Sequence, residues 1–474
     1  MRLRRVAILG LVAACSSHGS HHASDAATAA PPLARESVRA AAPPPDAAPP
    51  TPPPYPAEIR SVKLRRSMPV RMQPDPDAKK YGTIAANTRV AVKSARTGPG
   101  CDQRWIEIEP FGWICEEYLE PSKKWPDGIE LPRLNRGELV PGSYGKVVAD
   151  GAVAYKLDGD QLVESRQLAG SVHVRDYGER VVQPEGGKDP ITYWNIGHGE
   201  YVDAADLHPH VPSPFHGVRL GDDTGMRLPL VFAVDPKRLD RSVPTQRTAR
   251  GGASGQRVPG RSAHHVLEVA RDRGGHPTAF RIGPSQWLPA SRARYLEATP
   301  PPTGLLPHER WVDVDLDRQA LVAYEGSLPV FATLVSTGRK KHPTATGIYR
   351  VWIKFAETAM NGQMGDEAPY SVATVPWTQF YARDLALHAA YWHDGFGTVR
   401  SHGCVNLSPI DSRWVYFWSD PEVPPGWSMA HGTRERPGSI VRVRSAADPD
   451  PPVRGYAKAV HEARAARSTA PEGG

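Results

Sequence analysis

One thiol in the C-terminal half of this chain has the neighbours that nucleophilic chemistry requires. Cys404 lies in Ser401-His402-Gly403-Cys404-Val405-Asn406, two residues after His402 and sixteen after His388. Only a thiolate attacks, so the sulfur needs a base or an electropositive pocket. The glycines of this segment let backbone amides approach a reacting carbonyl closely. A metal site built from His388, His393, His402 and Cys404, with Asp394 adding an oxygen, is the rival chemistry. His-Gly-Cys on one tight turn does not have the usual zinc-ligand spacing. A buried structural cysteine is the blander alternative. The reading taken forward is nucleophilic attack by the thiol on a carbonyl, with no cofactor and no metal expected.

Such a site needs strands to carry it. Pro300 to Gly304 reads as a linker, and Arg310 to Leu316 then alternates with period two. Asp317-Arg318-Gln319 turns, Ala320 to Glu325 returns, and Gly326-Ser327 turns again into Val330 to Val335, which is a β-meander. Ser336-Thr337-Gly338 and Pro343-Thr344-Ala345-Thr346-Gly347 punctuate the entry to a further strand, Tyr349 to Phe355. Leu385-Ala386-Leu387 is an apolar strand that aims His388 inward, which makes it the preferred base. His393 is a second candidate. Segment 357–380, with Met360, Met364, Tyr370, Trp377 and Phe380, is expected to form a substrate-side lid or simply to pack.

The strand pair, the Ser-Thr-Gly and Pro-Thr-Ala-Thr-Gly loops, Leu387-His388-Ala389 and Ser401-His402-Gly403-Cys404-Val405-Asn406-Leu407 together resemble the L,D-transpeptidase (YkuD) catalytic domain, over residues 308–445. The resemblance implies a β-sandwich-like domain that cross-links peptidoglycan stem peptides through a cysteine acyl-enzyme, without metal. It implies Cys404 as nucleophile and His388 as proton acceptor and donor, oriented by the Ala389 carbonyl. The amides of Gly403 and Cys404 would form the oxyanion hole, and His402 would border the thiolate. Ser401, Arg400, Asn406, Tyr391 and Trp392 are the expected substrate-side residues, with Arg400 facing a stem-peptide carboxylate and Asn406 also expected as a structural hydrogen-bonder to the catalytic loop. One departure is visible: the interval from His388 to Ser401 is shorter than the family's usual spacing. An L,D-carboxypeptidase using the same site, or a non-catalytic peptidoglycan-binding lipoprotein, are the alternatives.

Upstream, three stretches end alike: Trp105 to Leu119, Tyr193 to Leu207 and Phe280 to Leu296. In each, an alternating strand is followed by a tight turn, an aromatic, an aliphatic and a short polar stretch closed by Leu. Small β-barrels or sandwiches in tandem are expected. The first, residues 58–124, resembles a bacterial SH3-like domain through Pro69 to Pro76 and Gly112-Trp113-Ile114. Residues 136–212 and 213–300 are expected as further SH3-like or β modules, with Thr245 to Pro259 a mobile loop in the last. The whole chain therefore reads as mostly β, with the catalytic domain preceded by small β modules.

The N-terminus accounts for delivery. Arg2, Arg4 and Arg5 precede an apolar run, Val6 to Ala14, too short to span a bilayer. Val12-Ala13-Ala14-Cys15 resembles a lipobox, which implies lipidation of Cys15, removal of residues 1–15 as a signal peptide, and a membrane anchor. A plain signal peptide with an incidental cysteine is the alternative. Ser16 points the anchored protein to the outer membrane, facing the periplasm. Residues 16–57 read as a Pro/Ala-rich tether, with nine prolines between Ala41 and Pro56. Such composition cannot bury enough apolar surface to fold and favours extended polyproline II. In an exported protein Cys101 and Cys115, which flank a hairpin, are expected to pair as a disulfide, two free buried thiols being the alternative. The net charge of +7 over 474 residues is modest, and no basic run is interleaved with aromatics, so nucleic acid is not an expected partner. Residues 446–474 read as a flexible tail within which Tyr456 to Arg467 can form a short helix.

Overall fold

Alternating apolar strands that end in tight turns dominate residues 58–300, and the computed structural model turns them into three small antiparallel units. It describes residues 54–148, 151–170, 172–184, 189–361 and 371–468. The lipidation site Cys15 and most of the tether lie outside those residues, as do Met364 and Tyr370. The described part of the tether is docked: the Tyr55 hydroxyl donates to Glu116 at 2.7 Å, and Arg104 donates to the Pro54 carbonyl. In the first unit Cys101 and Cys115 are joined as a disulfide.

The shared ending of the three blocks has one structural form. The polar stretch is a single 3-10 turn, Glu116–Tyr118, Ala204–Asp206 and Ala290–Arg292, which feeds a closing strand. Residues 245–259, expected as a mobile loop, are instead a hairpin of strands Val243–Thr248 and Gly251–Val258. Thr245 and Ser254 tie it across with side-chain hydrogen bonds.

Two units join the catalytic sheet by backbone pairing. Strand β1 (Lys80–Ile84) belongs to the first unit and β2 (His173–Arg175) to the second. A short connecting strand, β3 (Val218–Arg219), precedes the third unit. The catalytic region supplies β4 (Arg310–Asp315), β5 (Ala320–Glu325), β6 (Leu328–Leu334), β7 (Gly347–Arg350), β8 (Ile353–Asn361), β9 (Ser371–Phe380), β10 (Ala386–Ala389) and β11 (Val405–Leu407). Helix α1 (Pro409–Trp418), β12 (Trp427–His431), β13 (Ile440–Arg444) and helix α2 (Gly455–Ser468) complete it.

One sheet runs in the order β3-β6-β5-β4-β13-β7. The other passes from the second unit through β2, β9, β8 and β12 into β1 and the first unit, with β10 paired to β9 and β11 to β10. Val312, Val314, Leu321, Leu387, Val405, Leu407 and Val443 are buried in one cluster between them, which gives the sandwich its core. Of segment 357–380, residues 357–361 and 371–380 are strand, the ends of β8 and β9, and Trp377 is fully buried as core.

Helix α1 starts cleanly because Ser408 caps it, accepting from the Asp411 N–H, and Pro409 suits the first turn. Its other end rests on Lys354, whose buried ammonium donates to the Tyr416 and Ser419 carbonyls at 2.7 and 2.5 Å. Residues 446–468 do not simply trail, and the rest of the expected tail lies outside the described residues. Helix α2 buries Ala457 and Val460, and Arg464 donates to Glu309, which Arg350 also holds. Among the described residues no helix is long and apolar enough to cross a membrane.

Candidate active site

The thiol and the imidazole sit on neighbouring parallel strands. β10 pairs with β11 in the register Leu387↔Val405, His388↔Asn406 and Ala389↔Leu407. Side chains alternate along a strand, so His388 and Asn406 share a face, while Leu387, Val405 and Leu407 turn into the core. Cys404, on the turn that enters β11, contacts the backbone of Asp384 and Ala386, on the stretch that leads into His388. His388 Nδ1 lies 3.1 Å from the Ala389 carbonyl. A carbonyl only accepts, so Nδ1 carries the proton and Nε2 is left with a lone pair, the state a general base needs.

Both partners are uncharged at rest. Burial pulls His388 down to about 4, partly offset by its bond to Ala389. Burial pushes Cys404 up to about 11, against the Ala386 N–H that favours the thiolate and with the charge of Asp384 that opposes it. The thiol contacts the Asp384 carbonyl at 3.7 Å. Cys404 nevertheless keeps partial exposure, through which a substrate carbonyl can reach it.

The loops that looked like punctuation form a cradle for the cysteine turn. Ser336 exchanges both backbone hydrogen bonds with Asn406, and the Thr337 carbonyl accepts from Arg400 N and Ser401 N. Thr344 Oγ1 accepts from Gly338 N and donates to the Gly403 carbonyl at 2.7 Å. Gly403 has φ of +120°, a backbone state that suits glycine alone.

Several expected roles change. Ser401 is buried, its hydroxyl donating to the Cys404 carbonyl at 2.5 Å and accepting from Gly403 N at 3.1 Å. It closes the turn and does not face substrate. The same bond occupies the Gly403 amide, so of the two expected oxyanion donors only Cys404 N–H remains a candidate. Tyr391 is fully buried, stacked on Tyr144 and donating to the Ala373 carbonyl, so it is core as well. Asn406 is buried against His393. Trp392 is half-buried and stacks on His388, with ring centroids 5.7 Å apart. His402 is exposed, its ring 5.0 Å from that of His342. Arg400 is exposed on a cleft.

His393 is excluded as the base by its own partners. Its Nδ1 accepts from Gly395 N at 3.0 Å, so the neutral ring carries its proton on Nε2, 3.0 Å from the Asn406 amide group. A donor there requires the amide oxygen, and that orientation also gives Asn406 Oδ1 the partner it would otherwise lack.

Three contributors were not foreseen. Arg261, in the third unit, donates to both Asp394 carboxylate oxygens at 2.5 and 2.8 Å, and Ser213 donates to the same group. Tyr381 is buried and its hydroxyl has no partner among the described residues; burial first, and then the proximity of Cys404, holds its phenol well above the usual range. Arg261 and Asp394 lie far apart in sequence, with no local pattern to link them. Tyr381, seven residues before His388, was visible only as one more aromatic. Among the described residues no three His, Cys, Asp or Glu side chains are grouped to hold a metal.

Comparison with known proteins agrees with this geometry in one part of the chain. Residues 309–443 match the family model for YkuD, the L,D-transpeptidase catalytic domain. The chain is 34% identical over 88 residues to L,D-transpeptidase 2 of Mycobacterium tuberculosis, covering 17% of this chain and 22% of that protein. It is 28% identical over 179 residues to the probable L,D-transpeptidase 3 of the same species, covering 34% of this chain and 60% of that one. The chain thus spans less than two thirds of either relative. Among solved structures, the catalytic domain of an E. faecium L,D-transpeptidase is similar at 22% identity, over 29% of this chain and 98% of that one, with a TM-score of 0.24. The strand pair bearing His388 and Cys404 falls inside the matched segment, and residues 309–443 are an L,D-transpeptidase catalytic domain of the YkuD family.

Proposed function

We propose that this protein is a cell-wall L,D-transpeptidase that cross-links peptidoglycan stem peptides through a Cys404 thioester. The observation that carries the reading is the parallel pairing that sets His388 on the strand beside the one Cys404 leads into, with Nδ1 tied to Ala389 and Nε2 left to accept. Because thiol and imidazole are both neutral at rest, deprotonation accompanies attack. Sγ bonds to the carbonyl carbon at the L-centre of the diaminopimelate residue of a tetrapeptide donor, and its proton passes to His388 Nε2. Cys404 N–H, with the Tyr381 hydroxyl as second donor, faces the developing oxyanion. The C–N bond to D-Ala breaks, His388 protonates the leaving amine, and a thioester remains. An amine of a neighbouring stem then attacks it, gives its proton to His388, and the C–S bond breaks as the thiol is restored. The same reading has the chain exported, lipid-anchored through Cys15 to the outer membrane, with SH3-like units gripping wall material.

Incubation with disaccharide-tetrapeptides tests it by mass spectrometry. Cross-linked dimers, free D-Ala and an acyl adduct on Cys404 are expected. Cys404→Ala removes all three, and His388→Ala slows acylation by about 10²- to 10⁴-fold. D-Ala without dimers assigns a hydrolase, and co-sedimentation with purified sacculi that leaves muropeptides unchanged assigns a binding protein.

A further inference from the structure

The loop between the two catalytic strands is held by a unit outside the catalytic domain. Besides its two bonds to the Asp394 carboxylate, Arg261 donates to the Asp394 carbonyl, and Arg294 donates to the Gly397 carbonyl. Beside this clamp a cleft of about 290 Å³ opens between the third unit and the loop. Lys237, Arg238 and Asp240 line one wall, and Asp394, Thr398 and Arg400 the other. Asp394 is already neutralised by Arg261. Among the described residues Lys237, Arg238 and Arg400 make no ion pair, so three cations face a single opposing carboxylate, that of Asp240.

The positive rim continues to the cysteine turn. Arg339 N donates to the Ser401 carbonyl at 3.1 Å, which brings the exposed Arg339 and Lys340 beside the residue that follows Arg400. After burial, the charges of Arg400 and Arg339 are among the causes that hold the His393 ring neutral, so both guanidinium groups lie close to the catalytic loop. A concave site with uncompensated cations takes an anion.

An enzyme that transfers an acyl group must hold a second ligand long enough for its amine to outcompete water. The matched catalytic segment, 309–443, carries thiol and base by itself, and a second wall from the third unit is what the cleft adds. The acceptor of the proposed reaction is a diamino acid whose amine stands on a carbon that also bears a carboxylate. Resting on that reading, we propose that the Lys237–Arg238–Arg400 cleft binds the carboxylate of the acyl acceptor and turns its amine toward the Cys404 thioester.

The test uses the full chain, a tetrapeptide donor, and two acceptors, free diaminopimelate and its carboxamide. For Lys237→Ala, Arg238→Ala and Arg400→Ala, KM for the carboxylate acceptor is expected to rise about tenfold and KM for the carboxamide less than about twofold. Lys237→Glu should enlarge the difference, and thermal melts check that each exposed variant is folded. An equal rise for both acceptors, or none, overturns the proposal. Inorganic phosphate that inhibits aminolysis far better than acetate would assign the cleft to phosphate-bearing polymer and also overturn it. Absence of any acyl adduct on wild-type Cys404 would instead sink the underlying acyl-transfer reading, whatever the variants do.

Discussion

The first two β units and the third are fastened to the catalytic domain by different physics. β1 pairs with β12 through Gly82↔Ala430 and Thr83↔Met429, and β2 meets β9 at His173↔Val372. One sheet therefore continues from unit to unit, and Val70, Ile84 and Ile106 of the first share a core with Trp377 and Trp427. No strand between Leu230 and Leu296 enters either catalytic sheet. That unit packs Leu230, Phe232 and Leu296 against Trp311 and Phe396, and lays Arg261 and Arg294 on the loop between His388 and Cys404. Backbone pairing fixes the body of the molecule, whereas a side-chain clamp fixes the position of one loop. Damage to the first should appear as lost stability, and damage to the second as lost turnover.

The sharpest break of that contrast is at Gly82. A Cβ there would meet the Met429 carbonyl and lie 2.6 Å from the Trp427 ring, and a backbone carbonyl cannot swing aside as a side chain can. Gly82→Val is expected to cost about 3 kcal/mol in urea melts, with turnover per folded molecule kept. A variant that melts like the wild type would mean that the sheet junction contributes little. Arg261→Ala should do the reverse. It frees Asp394 and the loop, and a catalytic loop displaced by about 1 Å costs on the order of 10- to 100-fold in acylation rate. Its melting midpoint should move by only a few degrees, because Asp394 is 45% exposed. Asp394→Asn should cost a similar factor, and the double variant little more than either, since both remove one interaction.

The catalytic strands were legible because their signals are local. Leu385-Ala386-Leu387 alternates into His388, and a glycine precedes Cys404, so strand, turn and candidate nucleophile could be read from adjacent letters. The three β units were legible from their repeated endings, which are short-range too. What could not be read is what lies between distant segments. Ser401 and Gly403 look like site residues in sequence, yet a hydroxyl and an amide 3.1 Å apart satisfy each other. Tyr391 was expected on the substrate side because it neighbours the base, but pairing with the second unit buries it against Tyr144. The loop before Ser401 is held by Arg261, 133 residues before Asp394. Local pattern carries no record of such a contact.

The smallest expected effect separates the two attachments by pH. At the second unit's junction His173 Nδ1 and His210 Nε2 lie 2.9 Å apart, and both residues are driven to about 4, by burial first and then by the charges of neighbouring His and Lys146. The unfolded rings titrate near 6.5, so the folded state binds fewer protons. Stability is therefore full above about pH 6.5 and falls as pH drops toward about 4. With solvent screening, roughly 1–2 kcal/mol per ring is at stake. His210→Gln should flatten part of that slope in melts between pH 7 and pH 4, because one of the two titrating rings is gone. The acylation rate should answer to different groups. With His388 neutral above about 4 and Cys404 protonated up to about 11, its pH profile should be level across neutrality in the wild type and in His210→Gln alike. A narrow bell, with both limbs within about two units of pH 7, would overturn the displaced values of both groups. A profile that shifts with His210→Gln would mean that the sheet junction governs the loop, and the two attachments would then act as one.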